Sequence, residues 1–180
     1  HVKLRVDIWL DPWGDWQDDG FQIVQALWGL SDGGLMGTGL GRGSPDIVPV
    51  AESDFIFTSI GEELGMFGAA AVLMSYLLIV GAGLRVALRT DNAFEKLLAV
   101  GLTTIMGIQT FIIVAGVIKL VPLTGITLPF VSYGGSSLVS NYILLALLIR
   151  LSDSTARRLH EVPDDPTMAE RWAARRLRRR

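Results

Sequence analysis

Pro49-Val-Ala-Glu-Ser-Asp-Phe-Ile-Phe-Thr-Ser-Ile-Gly-Glu-Glu-Leu-Gly65 places a carboxylate, Asp54, immediately before an apolar run that extends to Leu84. Residues 66–84 carry no charge. At about 1.5 Å per residue they are long enough to cross the roughly 30 Å hydrocarbon core of a membrane. We therefore predict a transmembrane helix over 55–84, with Asp54 at its entrance between water and lipid.

The composition agrees with a membrane protein. Half of the 180 residues are hydrophobic, which is too apolar for a soluble domain of this size. The formal net charge of −2 conceals an asymmetry, because acids concentrate in the first third of the chain and arginines at its C-terminal end. The absence of cysteine excludes a disulfide framework and a thiolate metal site. We expect no nucleic-acid partner and no metal-ligand set.

Two further stretches, uncharged over 97–118 and 120–149, predict two more transmembrane helices, over 97–119 and 135–151, and a short loop over 85–96 precedes them. Prolines and glycines interrupt residues 120–134, which we interpret as a re-entrant or surface loop. Irregular backbone at membrane depth is tolerated only where protein or a water-filled cavity covers it. This loop therefore indicates a site.

The basic residues predict the orientation. Those of the 85–96 loop must share a side with those of the tail, residues 152–180, because two spans separate the groups. The positive-inside rule makes that side cytoplasmic. Residues 1–54 then form an extracytoplasmic loop with short helices, and residues 120–134 lie on the same outer side. We expect a multi-pass protein of the cytoplasmic membrane with its C-terminus in the cytoplasm.

A glycine-rich stretch, residues 29–43, lacks the Gly-Lys-Ser/Thr of a Walker loop, and no clear strand precedes it. Two interpretations stay open. The glycines serve a loop with unusual backbone angles, or backbone N–H groups together with Arg42 face an anion such as a diphosphate. Before this stretch we predict a turn at residues 11–14 and a short helix over 21–28.

Asp54 is the candidate catalytic residue, and the alternative is that it caps the helix. On one continuous helix it would share a small, accessible face with Thr58, Gly61 and Gly65. Glu62 would stand about 12 Å from Asp54 along the axis, beyond the roughly 5–9.5 Å of glycosidase carboxylate pairs. We therefore interpret Glu62 and the adjacent Glu63 as buried structural partners of arginine or backbone groups.

Other polar residues stand in or beside the spans. Lys119 either reaches the interface or pairs with an anionic substrate group, and Gln109 is expected to hydrogen-bond between helices. A serine cluster that includes Ser132 and Ser136 has no histidine in the membrane part to activate it, which argues against a Ser–His hydrolase.

Two motifs together resemble the SEDS family (shape, elongation, division and sporulation; FtsW/RodA/SpoVE type). The first is Ala51-Glu-Ser-Asp-Phe-Ile-Phe57 with Gly61-Glu-Glu-Leu-Gly65, and the second is Pro122-Leu-Thr-Gly-Ile-Thr-Leu-Pro-Phe-Val-Ser-Tyr-Gly-Gly-Ser-Ser137. By analogy this implies an all-α, polytopic membrane fold of about ten helices. We expect the chain to be its last three transmembrane helices, preceded by a large extracytoplasmic loop.

The resemblance implies peptidoglycan glycosyltransfer, the polymerisation of lipid II into glycan strands outside the cytoplasmic membrane, with a class B penicillin-binding protein as partner. It places the family's essential aspartate at Asp54, which would accept the proton of the acceptor hydroxyl. The undecaprenyl diphosphate leaving group needs positive charge or a divalent cation such as Mg²⁺ or Mn²⁺. Our substrate-binding candidates are Arg42, Lys119, Ser132, Tyr133 and Ser136.

The chain departs from the family at two places. Glu52-Ser53 replaces a common His-Thr, and Ile113-Val-Ala115 replaces Asn-Ile-Gly. Residues 141–150 favour the elongation, RodA-like branch over the division branch. Two other functions stay open, a lipid II flippase or transporter and a non-catalytic scaffold of the wall-synthesis complex. A transporter should tolerate asparagine at Asp54, and a scaffold should tolerate any change there.

Overall fold

The computed structural model describes residues 2–14, 18, 20–43, 53–160 and 175. Within them the regular structure is helical. The five helices are α1 (Val2–Leu10), α2 (Phe21–Gly33), α3 (Ile56–Arg89), α4 (Ala93–Val117) and α5 (Gly135–His160). By length and composition α3, α4 and α5 can each cross a membrane. The predicted all-α membrane fold is confirmed in this respect.

The loop predicted over 85–96 is wrong in its extent. Helix α3 continues to Arg89 and α4 begins at Ala93, so residues 90–92 alone leave the helix. Charged residues mark where a chain meets water, but arginine is a good helix former, and a helix can continue beyond the hydrocarbon. The side chain of Asn92 caps α4 by accepting the N–H of Phe94 at 3.0 Å.

Helix α5 also exceeds its predicted end at residue 151 and reaches His160. An exposed ion pair between Arg157 and Asp153, at 2.9 Å, supports this extension with i, i+4 spacing. The predicted tail therefore begins as helix. Its remainder, residues 161–180, lies outside the described residues except for Arg175.

The buried side chains form two clusters, one at each end of the long helices. The cluster near Asp54 joins α2, α3 and α4 through residues such as Ile23, Phe57 and Val117. The cluster at the other end joins α3, α4 and α5 around Met106 and Leu148. Many apolar side chains elsewhere on α3–α5 are exposed, as expected for surfaces that meet lipid or further helices.

Helix α3 is interrupted at Gly65, whose φ of 68° and ψ of −169° are accessible essentially only to glycine. The interruption removes the helical partners of neighbouring backbone groups. The glycine loop, residues 34–43, replaces them with four hydrogen bonds: Thr38 N–H to Glu62 O at 2.9 Å, Gly39 N–H to Glu63 O at 3.0 Å, Met66 N–H to Gly34 O at 2.9 Å, and Phe67 N–H to Leu35 O at 3.4 Å.

These bonds correct one interpretation of the glycine-rich stretch. The N–H groups of Thr38 and Gly39 bind carbonyls of α3, so these two do not face an anion. The polar face expected to be open to a ligand is also covered, by α2. A Cβ atom on Gly61 would lie 2.4 Å from Cδ2 of Leu30, and one on Gly33 would lie 2.1 Å from the carbonyl oxygen of Gly61.

Replacement of Gly65 tests this packing. Gly65→Ala should lower the free energy of unfolding by about 2 kcal/mol or more, because its backbone is strained for L-residues and a Cβ would lie 2.3 Å from the nitrogen of Gly37. Gly81→Ala in the same helix is the matched control, since a Cβ there meets nothing within 4 Å. Thermal unfolding in detergent measures both variants. Equal unfolding temperatures would contradict the structure.

Candidate functional site

The irregular segment, residues 118–134, connects α4 to α5 without regular structure. Side chains from distant parts of the chain bind its backbone carbonyls, which no helix satisfies. These bonds are Trp9 Nε1 to Lys119 O at 3.0 Å, Arg5 Nη1 to Leu123 O at 3.2 Å and to Thr124 O at 3.0 Å, Gln109 Nε2 to Thr127 O at 2.8 Å, and the hydroxyl of Tyr76 to Pro129 O. The segment is thereby held between α1, α3 and α4.

Ser132 links this segment to the turn that carries Asp54. Its side chain is only 3% exposed. The hydroxyl donates to the carbonyl of Ser53 at 2.5 Å and accepts the N–H of Leu128 at 2.7 Å. Both partners are backbone groups. The structure therefore gives Ser132 a positioning role in place of the substrate contact we expected.

Asp54 lies in a turn just before α3, which begins at Ile56. It is therefore not on the helix face with Thr58 and Gly61, as a continuous helix would have required. The N-cap residue is Phe55, and no side chain caps the first turn. One carboxylate oxygen of Asp54 accepts the hydroxyl of Ser53 at 2.9 Å. The structure thus does not support the capping alternative.

A small cavity of about 10 Å³, the Asp54 cavity, adjoins this carboxylate and has room for about one water molecule. The residues that line it besides Asp54 come from α4 (Ile112, Ile113 and Gly116) and from the irregular segment (Leu123, Thr124, Gly125 and Ile126). Gly125 has a φ of 70°. A Cβ atom there would lie 3.4 Å from Oδ2 of Asp54, and 3.8 and 3.9 Å from the terminal nitrogens of Arg5. The carboxylate and the guanidinium therefore approach the same glycine.

The sequence analysis did not identify Arg5. Nothing local marks it, because its partners Leu123 and Thr124 stand 118 and 119 residues further along the chain. The available signal was a cation in the predicted outer loop, and Lys3 and Arg42 share that description.

A larger apolar groove, the α4–α5 groove, has a volume of about 700 Å³. Ile105, Ile108 and Gln109 line it from α4, and Ser136 and Asn141 line it from α5. It shares three lining residues with the Asp54 cavity: Ile112, Gly125 and Ile126. A carboxylate and an apolar groove therefore lie next to each other, an arrangement suited to an amphipathic ligand.

The other predicted binding residues are dispersed. Arg42 is exposed beside Gly39, and Lys119 donates to the carbonyl of Leu10 at 3.5 Å. Neither lines the Asp54 cavity. Tyr133 is 77% exposed and lines neither the cavity nor the groove, whereas Ser136 lines the groove.

Glu62 is buried, and its carboxylate lies close to Gly29 and Gly43, so its surroundings are those of a structural residue. The side chain of Glu63 lies against Gly43, at the glycine loop. The prediction that Gln109 hydrogen-bonds to another helix is wrong. Its amide binds the irregular segment, because the carbonyl of Thr127 there has no helical partner. The part of the chain that the structure describes holds no cluster of three or more metal-ligating side chains.

Comparison with known proteins identifies similar sequences. The profile of the FtsW/RodA/SpoVE family, described as cell cycle proteins, matches residues 2–157. The peptidoglycan glycosyltransferase RodA of Mycobacterium tuberculosis (strain H37Rv) is 53% identical over 163 residues, which are 91% of this chain and 35% of that protein. The probable peptidoglycan glycosyltransferase FtsW of Geobacter sulfurreducens (strain PCA) is 41% identical over 152 residues, which are 83% of this chain and 41% of that protein.

Similar folds occur among solved structures. One of them comes from work on the structural coordination of polymerization and crosslinking by a peptidoglycan synthase complex. The TM-score is 0.69 at 26% identity, over 84% of this chain and 41% of the matched chain. This chain thus spans roughly a third to two fifths of the length of these relatives.

The role of Ser132 is testable without an activity assay. Ser132→Ala leaves Leu128 N–H and the carbonyl of Ser53 without their partner, which should cost about 1–3 kcal/mol of stability and speed hydrogen exchange at the Leu128 amide. Ser140→Ala is the control, because it removes an exposed bond within α5 and should change stability by less than about 0.5 kcal/mol. Unchanged exchange at Leu128 would exclude the positioning role.

Proposed function

Because this chain belongs to the FtsW/RodA/SpoVE family, we propose that the protein is a peptidoglycan glycosyltransferase that polymerises lipid II into glycan strands on the outer face of the cytoplasmic membrane. The motifs around Asp54 and in residues 122–137 predicted this family, and the family match confirms it. Identity of 53% to a RodA protein, against 41% to an FtsW protein, supports the elongation branch.

The observation that carries the proposal is the position of Asp54. Its carboxylate borders a cavity at the end of a membrane-crossing helix, it does not cap that helix, and a guanidinium lies at the same glycine. Sugar hydroxyls are weak nucleophiles until a base accepts their proton. A carboxylate in this place can perform that task.

We propose the following reaction, with Asp54 as the base. The acceptor sugar's 4-hydroxyl oxygen attacks C1 of the donor sugar, and its proton passes to Asp54. The bond between C1 and the diphosphate oxygen breaks, and its electron pair leaves with undecaprenyl diphosphate. Positive charge near that oxygen stabilises the departing group.

The groove between α4 and α5 supports a lipid-linked substrate. Its lining by Ile105, Ile108 and Ile112 suits an apolar chain, and it meets the Asp54 cavity at Gly125. A polyprenyl chain bound in the groove would bring the diphosphate of the same substrate close to Gly125.

The described residues do not fit a resident Mg²⁺ or Mn²⁺. Asp54 is the one carboxylate that lines its cavity in the described part of the chain. Its use as a metal ligand would compete with its acceptance of a proton. No step of the proposed reaction runs through a metal ion.

We further propose a class B penicillin-binding protein as partner and the predicted orientation, with Asp54 outside and the C-terminus in the cytoplasm. The similar solved chain comes from a peptidoglycan synthase complex that coordinates polymerization and crosslinking, which supports a partner that crosslinks the strands. The basic residues within 85–96 and 150–157 support the orientation.

The decisive assay uses the full-length protein with its partner in detergent, supplied with labelled lipid II. Asp54→Asn should reduce glycan polymerisation by about 100-fold or more, because the amide cannot accept the proton, while lipid II binding is retained. Asp32→Asn, at an exposed position on α2, is the matched control and should polymerise normally.

The other outcomes separate the alternatives. Normal polymerisation by Asp54→Asn would reject Asp54 as the base. Movement of lipid II across vesicles without polymer from the wild type would favour a transporter. Normal cell-wall assembly in cells that carry Asp54→Asn, with no polymerisation by the wild type, would favour a scaffold.

A further inference from the structure

We propose that the guanidinium of Arg5 binds the diphosphate of the lipid-linked donor beside Asp54. This inference rests on the proposed function, because it assigns the residue that would hold the leaving group of that reaction. Its support is the position of α1, which lies within the predicted extracytoplasmic loop.

The first step is that Arg5 is held in place. Its Nη1 donates to two consecutive carbonyls, those of Leu123 and Thr124, at 3.2 and 3.0 Å. The indole of Trp9, one turn further along α1, donates to the carbonyl of Lys119. Two side chains of the same helix thus fasten it to the irregular segment. The guanidinium cannot move away from Gly125 without breaking these bonds.

The second step is the opening at Gly125. The Nη2 atom of Arg5 and Oδ2 of Asp54 lie 3.8 and 3.4 Å from the point that a Cβ atom of residue 125 would occupy. A side chain there would separate the two groups. With glycine, a ligand can touch the carboxylate and the guanidinium together. In the proposed displacement the attacking hydroxyl oxygen and the departing diphosphate oxygen lie on opposite faces of the same carbon, C1, so the base and the cation must flank one sugar.

The chemistry of arginine suits a diphosphate ligand. Guanidinium is planar, always charged and able to bind two phosphate oxygens at once. Arg5 is exposed, so a ligand can reach it from solvent. The terminal nitrogens of Arg5 lie 3.8 and 3.9 Å from the Cβ position of Gly125. Arg42 instead lies beside Gly39, and the amine of Lys119 is directed to the carbonyl of Leu10. Arg5 is therefore better placed than either residue to neutralise the diphosphate.

Binding of a defined probe tests the proposal. Undecaprenyl diphosphate and undecaprenyl monophosphate are titrated into the full-length protein in detergent. The wild type should prefer the diphosphate. Arg5→Gln should raise the Kd for the diphosphate by roughly ten- to a hundredfold and reduce that preference. Arg5→Lys keeps the charge without the planar fork and should fall between the two.

Two control variants separate ligand binding from support of the loop. Trp9→Phe removes another bond from α1 to the irregular segment but keeps the guanidinium. Lys3→Gln removes a positive charge from an exposed position of the same helix. Both should bind undecaprenyl diphosphate within about twofold of the wild type, since neither changes a charge-assisted bond to the ligand.

Two results would overturn the assignment. An unchanged Kd for the diphosphate in Arg5→Gln shows that Arg5 is not its ligand. An equal loss of affinity in Trp9→Phe shows that Arg5 acts only by docking α1. Failure of the proposed function would look different. If the wild type makes no polymer but its diphosphate binding still depends on Arg5, the glycosyltransferase is rejected and the binding site stands. If Arg5→Gln does not fold, an unchanged Kd in Arg5→Lys, where charge remains but the fork is lost, counts against the assignment.

Discussion

Backbone hydrogen bonding constrains this molecule wherever the chain leaves the α-helix beside a membrane. Lipid offers no partner to an unpaired N–H or C=O group, so protein must supply it. The interruption at Gly65 receives its partners from the glycine loop, and the irregular segment receives them from side chains of α1, α3 and α4. Both irregular regions depend on parts of the chain that lie far away in sequence.

The bonds that satisfy the backbone also position the candidate chemistry. Arg5 binds two carbonyls of the irregular segment, and the same contact places its guanidinium near Gly125. Ser132 satisfies the N–H of Leu128, and the same hydroxyl holds the carbonyl next to Asp54. Preorganised charges of this kind need little rearrangement when charge develops in a reaction. Structural support and function are therefore carried by the same few side chains.

The sequence was sufficient to predict the long helices but not the exact segments that connect or interrupt them. Uncharged stretches predict the three long helices, and prolines predict that residues 120–134 are irregular, because both signals are local. The loop predicted over 85–96 was too long, because charged residues indicate contact with water and do not indicate where a helix ends. The break at Gly65 was missed because a single glycine within an apolar run is compatible with a helix, and the backbone conformation depends on the glycine loop.

The candidate site shows the same division. Asp54 was predicted because it stands directly before a membrane-crossing stretch, whereas Arg5 reaches the site through contacts with residues more than a hundred positions away. Flexible cations such as Lys119 look equally suitable in sequence, but a cation is useful to a leaving group only where that group departs. In the proposed site that place lies beside Gly125, whose φ of 70° turns the backbone and whose missing side chain leaves room beside the carboxylate. The residue without a side chain therefore decides which charged side chains can act together.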